Sequence, residues 1–265
     1  MEGPSYVLAD IESRSDEPTL VQPADVELAW TAVAAVDGWL TEDQARLLYE
    51  RAAALPAGAQ IVEIGSYRGR STIVLALAAG ADVRLTAIDS HDGTNRGPRQ
   101  IEGEWAEGQG DFLAFRANLD AAGVAGRVEH VRAFSQAALS ELEGPVDLLY
   151  IDGAHQYRAA RADIRRWGRR VSEGGTMLVH DGFSSIGVTL ALFSELALAG
   201  SWRYRGRRGS LVEYRRAPTS RLRNAIAHAT SVPWFIRNVI IKLALVTRQR
   251  WVCRLLGHEG DRWPF

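Results

Sequence analysis

From Gln60 to Val179 short apolar runs alternate with helical ones at a regular spacing. Such alternation predicts βαβ units, hence a parallel sheet covered by helices on both faces, because each crossover has to return over the sheet. The runs Gln60–Ile64, Val83–Ile88, Val128–Val131, Val146–Ile151 and Thr176–Val179 read as strands. Helices fill the gaps at Ser71–Ala79, Asp111–Ala122, Gln136–Leu142, Tyr157–Val171 and Gly187–Leu198. Trp202–Tyr204 and Ser210–Tyr214 then follow with only Arg205–Gly209 between them, which predicts an antiparallel hairpin at one edge. A chain of 265 residues accommodates one such domain with appendages. Its expected organisation is an N-terminal arm and helices over 1–55, the α/β domain over 56–216, and a helical tail over 217–265.

The first strand runs into VEIGSYRGRS, Val62 to Ser71. Gly65 and Gly69 permit a tight turn and close backbone approach, so a ligand would lie over them at the start of the following helix. The pattern is Glu-x-Gly-x-x-x-Gly, without the third glycine of a pyrophosphate loop or the lysine of a P-loop, and both of those sites are disfavoured.

In an open parallel sheet the ligand crevice lies beyond the carboxyl ends of the strands. Glu63, Asp89, Asp152 with His155, and His180 with Asp181 all fall at such ends. Clustered carboxylates cost free energy without partners, so this edge calls for a cation, a ribose or water. Asp89, 26 residues after Glu63, is placed to accept from both hydroxyls of a ribose. Ala133, Phe134 and Ser135 follow the third strand and would edge an adenine ring, Phe134 being equally suited to the core. Asp163 and Arg165 read as solvated helix residues.

VEIGSYRGRS, LTAIDS, LLYIDGAHQY and GGTMLVHDGF, in this order, resemble the class I S-adenosylmethionine-dependent methyltransferases. Within them the chain is similar to the small O-methyltransferases of macrolide-sugar and cephalosporin pathways, over roughly Leu55 to Tyr214. The resemblance implies a Rossmann-like α/β fold, with a seven-stranded, mostly parallel sheet in the order 3-2-1-4-5-7-6. It also implies S-adenosylmethionine held by Glu63, Gly65, Ser66, Gly69, Ser71, Asp89, Ser90, Ala133, Phe134, Ser135 and Asp152. By the same resemblance Asp152, His180 and Asp181 would hold a divalent metal, Mg2+ or Mn2+, and His155 would act as base with Asp152 beside it. His180 departs from the acidic residue often found there; an imidazole would favour manganese or another transition metal over magnesium. The acceptor implied is a small molecule or an oligosaccharide, most directly a sugar hydroxyl. A catechol or phenol is the alternative acceptor, and a non-catalytic scaffold docking through its tail is the alternative of another class.

Composition narrows the setting. The single Cys253 rules out a disulfide within one chain and a cysteine-rich metal site, as expected of a cytoplasmic protein. The polar, acidic N-terminus resembles no signal peptide, and residues 1–20 read as a mobile arm. His91–Gly110, rich in glycine and charge and containing Arg96, Arg99, Ile101 and Trp105, reads as a lid. Residues 219–265 carry a net charge of +6, which leaves −7 on residues 1–218. An acidic body without an Asn-Pro-Pro-Tyr type motif argues against a nucleic-acid substrate. The tail holds two apolar helical stretches, Leu222–Ala229 and Trp234–Val246, judged too short to span a bilayer. It reads either as an arm packed on its own body or on a second copy of the chain, or as an amphipathic element giving peripheral membrane contact.

Overall fold

The computed structural model describes residues 23–93 and 105–258. Seven strands, β1 Gln60–Ile64, β2 Arg84–Ile88, β3 Val128–Val131, β4 Val146–Ile151, β5 Val171–Val179, β6 Trp202–Arg208 and β7 Leu211–Arg216, form one sheet. Its order is β3-β2-β1-β4-β5-β7-β6. The first five strands are parallel, and β7 runs antiparallel to both β5 and β6. The expected fold is therefore the observed one. Ile64 stands opposite both Ile88 and Ile151, Ile88 opposite Val131, and Ile151 opposite Val179. Flush strand ends bring Gly65, Asp89, Asp152 and His180 to one edge.

Alternation along each strand feeds two cores, as the two-residue period requires. Ile61, Leu148 and Tyr150 join the layer formed with helices α1 (Pro23–Val33), α2 (Glu42–Ala53), α3 (Arg70–Ala78) and α4 (Trp105–Ala121). Val62, Ile64, Leu149 and Ile151 join the opposite layer with α5 (Ser135–Ala138), α6 (Tyr157–Gly168) and α7 (Ile186–Glu195). Thr41 is the N-cap of α2, and its amide donates to Gln44 Oε1 at 2.9 Å to close a capping box.

Several boundaries differ from expectation. α6 stops at Gly168 because the Arg170 carbonyl accepts from the Val146 amide, so Val171 starts β5 and does not prolong the helix. β6 runs to Arg208, shifting register at Gly206, and the hairpin turns at Gly209–Ser210. α4 begins at Trp105, so the end of the expected lid is helix; residues 94–104, with Arg96, Arg99 and Ile101, lie outside the described residues, as do residues 1–20.

The tail forms α8 (Arg221–Ala229), α9 (Val232–Val246) and an unanticipated α10 (Arg250–Leu255). It lies on the body, as the first of its two readings held. Asn224, on α8, donates to the carbonyls of Leu196, Ala199 and Trp202 and accepts from the Tyr204 amide. The His228 imidazole meets the Tyr214 hydroxyl at 2.8 Å. From α9, Asn238 donates to the Phe183 carbonyl and Lys242 to that of Ser184. Arg221–Val246, 26 residues with mean hydropathy 1.3, is long and apolar enough to cross a membrane by length and composition, which corrects the sequence estimate. The helix is nevertheless broken at Thr230–Ser231.

Candidate active site

A cavity of about 470 Å³ opens beyond the strand ends, lined by Gly65, Asp89, Ser90, Ala133, Phe134, Ser135, Asp152 and His155 among others. That volume suits a small-molecule site. Gly65 is needed for a reason beyond ligand approach: its φ is +86°, and a Cβ there would stand 2.3 Å from the Asp152 carbonyl oxygen. Glycine lets β1 and β4 turn away side by side.

Asp89 is fixed by its own loop. One carboxylate oxygen accepts from the Tyr67 amide and the other from the His91 amide, both at 2.8 Å. Each oxygen keeps a lone pair, and the pair can still receive two vicinal hydroxyls. Phe134, 61% exposed, stands at the cavity rim and is not core.

Four expected cofactor residues, Glu63, Ser66, Gly69 and Ser71, do not line the cavity among the described residues. Glu63 is fully buried and receives the hydroxyls of Ser71 and Thr72, tying β1 to the first turn of α3. Burial pushes its carboxyl up to about 8 against those hydroxyls. Gly69 holds φ +87° at the N-cap of α3, where a Cβ would press on Leu119.

The acids and imidazoles past β4 and β5 pair crosswise. His155 Nε2 lies 3.0 Å from Asp181 Oδ2, and His180 Nδ1 lies 3.1 Å from Asp152 Oδ1. The second Asp152 oxygen receives the Tyr150 hydroxyl at 2.9 Å. Burial disfavours charge on His180, but the Asp152 carboxylate, reinforced by Asp181, overcomes it and lifts the imidazole to about 9. Burial likewise opposes a charged His155, and the hydrogen bond and charge of Asp181 raise it above the ordinary imidazole value. Asp181 stays ionised well below the usual carboxylate range: burial works against that, and both imidazoles outweigh it. Two imidazolium–carboxylate pairs thus neutralise the cluster from within.

This arrangement fits a resident metal poorly. Three of the four carboxylate oxygens face an imidazole or a phenol, which leaves few open donors for a cation. Among the described residues Asp181 Oδ1 has no hydrogen-bond partner, and it sits 3.9 Å from His180 Nδ1. Among the described residues no group of three or more His, Cys, Asp or Glu is disposed to hold a metal ion. Asp152, His180 and Asp181 do converge, but as ion pairs.

Other residues at the site were not anticipated. Gln44 accepts from the Thr41 amide and reaches His180 Nε2 at 3.3 Å through the same oxygen, and donates to Ser210. Asp163, expected in solvent, is buried, lines the cavity and receives Ser135 Oγ and Gln136 Nε2. Helical spacing with Ala160, Ile164 and Trp167, all buried, was the available signal. Trp39 and Tyr67, ring centroids 5.3 Å apart, line another wall.

Strand order, reversed final strand and a cavity beyond the strand ends define the class I methyltransferase fold. Residues 62–182 match the family model of a methyltransferase domain. A catechol O-methyltransferase of Mycobacterium tuberculosis is 32% identical over 123 residues, 46% of this chain and 47% of the relative. The chain therefore spans about half the length of that curated relative. Among solved structures, the O-methyltransferase TomG of Streptomyces achromogenes, involved in tomaymycin synthesis, has TM-score 0.53 at 18% identity, covering 76% of this chain and 92% of that one. An O-methyltransferase of Bacillus cereus has TM-score 0.53 at 16% identity, covering 75% and 93%. At these identities the two structures speak for the fold.

Proposed function

We propose that the chain is an S-adenosylmethionine-dependent O-methyltransferase in which His155 removes the proton of an acceptor hydroxyl. The observation that carries this reading is the His155–Asp181 pair, whose imidazole lines the same cavity as Asp89. Asp89 would hold the ribose hydroxyls of S-adenosylmethionine, and Phe134 and Ser135 would border its adenine. Asp181 binds Nε2, so Nδ1 is the nitrogen that takes the proton of the acceptor hydroxyl; S-adenosylmethionine, when bound, would supply the methyl group and leave as the neutral thioether. Asp152, with the Tyr150 hydroxyl and the His180 cation, holds the floor of the site.

The acceptor implied by the resemblance is a sugar hydroxyl assisted by a metal. An alkyl hydroxyl is a much weaker acid than a phenol, whose pKa is about 10, and the donors that would bind a metal are engaged as ion pairs. A phenol or catechol needs only the base, and the catechol O-methyltransferase similarity favours it. We therefore place a phenolic acceptor first and a sugar second. Nucleic acid is no part of this reading.

The test is methyl transfer to a panel of catechols and sugars, with chelator and with added magnesium or manganese. Turnover of a phenol in chelator is expected, falling about 10²–10⁴-fold in His155→Ala with S-adenosylhomocysteine binding kept. Wild-type-like turnover of His155→Ala would remove the base; strict metal dependence with a sugar would return the acceptor to the second reading. Absence of any S-adenosylhomocysteine binding would leave a scaffold.

A further inference from the structure

Helices on a protein surface ordinarily bury their apolar stripe and show their polar one. The tail buries Ile241, Ala244 and Cys253 in this way, but it also turns polar groups inward and leaves a second apolar face outside. Asn224 and His228 on α8 and Asn238 on α9 are buried, at 2%, 0% and 0% exposure. Leu222, Ile226, Ile236, Ile240 and Leu243 face outward at 41–69% exposure, and Trp251 on α10 at 66%. The inward polar groups are fully used: Asn224 and His228 bind the β6–β7 edge, Asn238 the loop after β5. An apolar face presented so deliberately is meant to be covered.

Charge identifies the cover. From Tyr214 to His258 the chain has no Asp or Glu, and Arg221, Arg223, Arg248, Arg250 and Arg254 are exposed around the apolar face. A second copy would set these arginines against their own kind. A bilayer with anionic headgroups supplies both an apolar interior for the leucines and isoleucines and negative charge for the arginines, with Trp251 suited to the interface between them.

We propose that the outer faces of α8, α9 and α10 dock on the surface of an anionic lipid bilayer. The mode is peripheral, although Arg221–Val246 is long enough to cross. α9 alone, at 15 residues, reaches about 22 Å, short of the ~30 Å hydrocarbon core. Its Asn238 and Lys242 are held by the carbonyls of Phe183 and Ser184, which insertion would tear away. Only outward side chains enter the lipid. The proposal is independent of which hydroxyl is methylated.

The full chain is tested by flotation with phosphatidylcholine vesicles and with vesicles containing phosphatidylglycerol. Binding is expected to the anionic vesicles and to weaken with salt. Arg248→Gln, Arg250→Gln and Arg254→Gln should each lower it roughly fivefold, and Ile240→Ser with Leu243→Ser about tenfold or more. All five positions are exposed or at the outer face, so unchanged S-adenosylhomocysteine binding or near-UV dichroism reports an intact fold. Failure to bind either vesicle, equal binding to both, or a dimer in solution that Leu243→Ser dissolves would each overturn the proposal.

Discussion

Replacing Asp181 by Asn keeps the shape of the side chain and removes its charge, which isolates what that charge does for His155. At 3.0 Å two unit charges interact by about 5 kcal/mol at an effective dielectric near 20. Burial takes part of this back, and opposite charges at such range move a titrating group by about 1–3 pH units. His155 acts as a base only when neutral. In the wild type, whose imidazole is held above 6.5, kcat/KM should therefore rise with pH through a midpoint above that value. In Asp181→Asn the limb should move down by about 1–3 units. The rate on the plateau should fall by less than the ~10²–10⁴ of losing the base, because the amide oxygen still orients the ring. Breaking a buried pair costs ~3–5 kcal/mol, so the profile is recorded at low temperature with S-adenosylhomocysteine binding as the measure of folded protein. An acid limb that stays where it was, in a variant that binds S-adenosylhomocysteine normally, would refute the pairing as the source of the base.

Three further outcomes are expected. Asp89→Ala should weaken S-adenosylhomocysteine about 10- to 100-fold by calorimetry, since charged hydrogen bonds are worth ~1.5–3 kcal/mol; unchanged affinity would remove the ribose assignment. His180, raised in the folded state from 6.5 to about 9, stabilises the fold fully below pH 6.5 and loses that contribution as pH rises through 9. Unfolding free energies from urea titration should fall over this window by up to roughly 3 kcal/mol, and His180→Asn should flatten that slope. Gly65→Ala, which forces a Cβ to within 2.3 Å of the Asp152 carbonyl at φ +86°, should cost more than ~3 kcal/mol and appear as lost soluble yield; a thermal midpoint like the wild type would contradict the close approach.

The sheet was legible because its parallel strands are short apolar runs spaced by helical ones, and β1, β2, β4 and β5 carry an acid at or just past the carboxyl end. Asp89, Asp152, His155 and Asp181 could be placed from that pattern. What could not be read was who partners whom. Glu63 looked like a ligand contact because it precedes the glycine turn, yet only the packing of α3 shows its carboxyl claimed by Ser71 and Thr72. The imidazole–carboxylate crossing depends on side-chain directions at two neighbouring strands, and the Gln44 contact joins residues 136 positions apart. Periodicity could have turned Asp163 inward, because it shares the face of Ala160 and Trp167. For the tail, composition correctly gave basic and apolar helices, but which face looked outward was set by Asn224, His228 and Asn238 finding carbonyls and hydroxyls on the body.

Asp181 and Phe183 both hold left-handed backbone, φ +57° each, in the loop that α9 grips through Asn238 and Lys242. Such conformations persist when surroundings over-determine them, and here part of the surroundings is supplied by residues some 55 positions later. On the ribosome, where the N-terminal part folds first, the sheet can assemble while this loop is still ungripped. Methyl-transfer competence would then be among the last properties the nascent chain acquires, arriving only when α9 has left the exit tunnel. Chains stalled before and after that point should both protect β1–β5 amides from exchange, and only the longer should protect the loop.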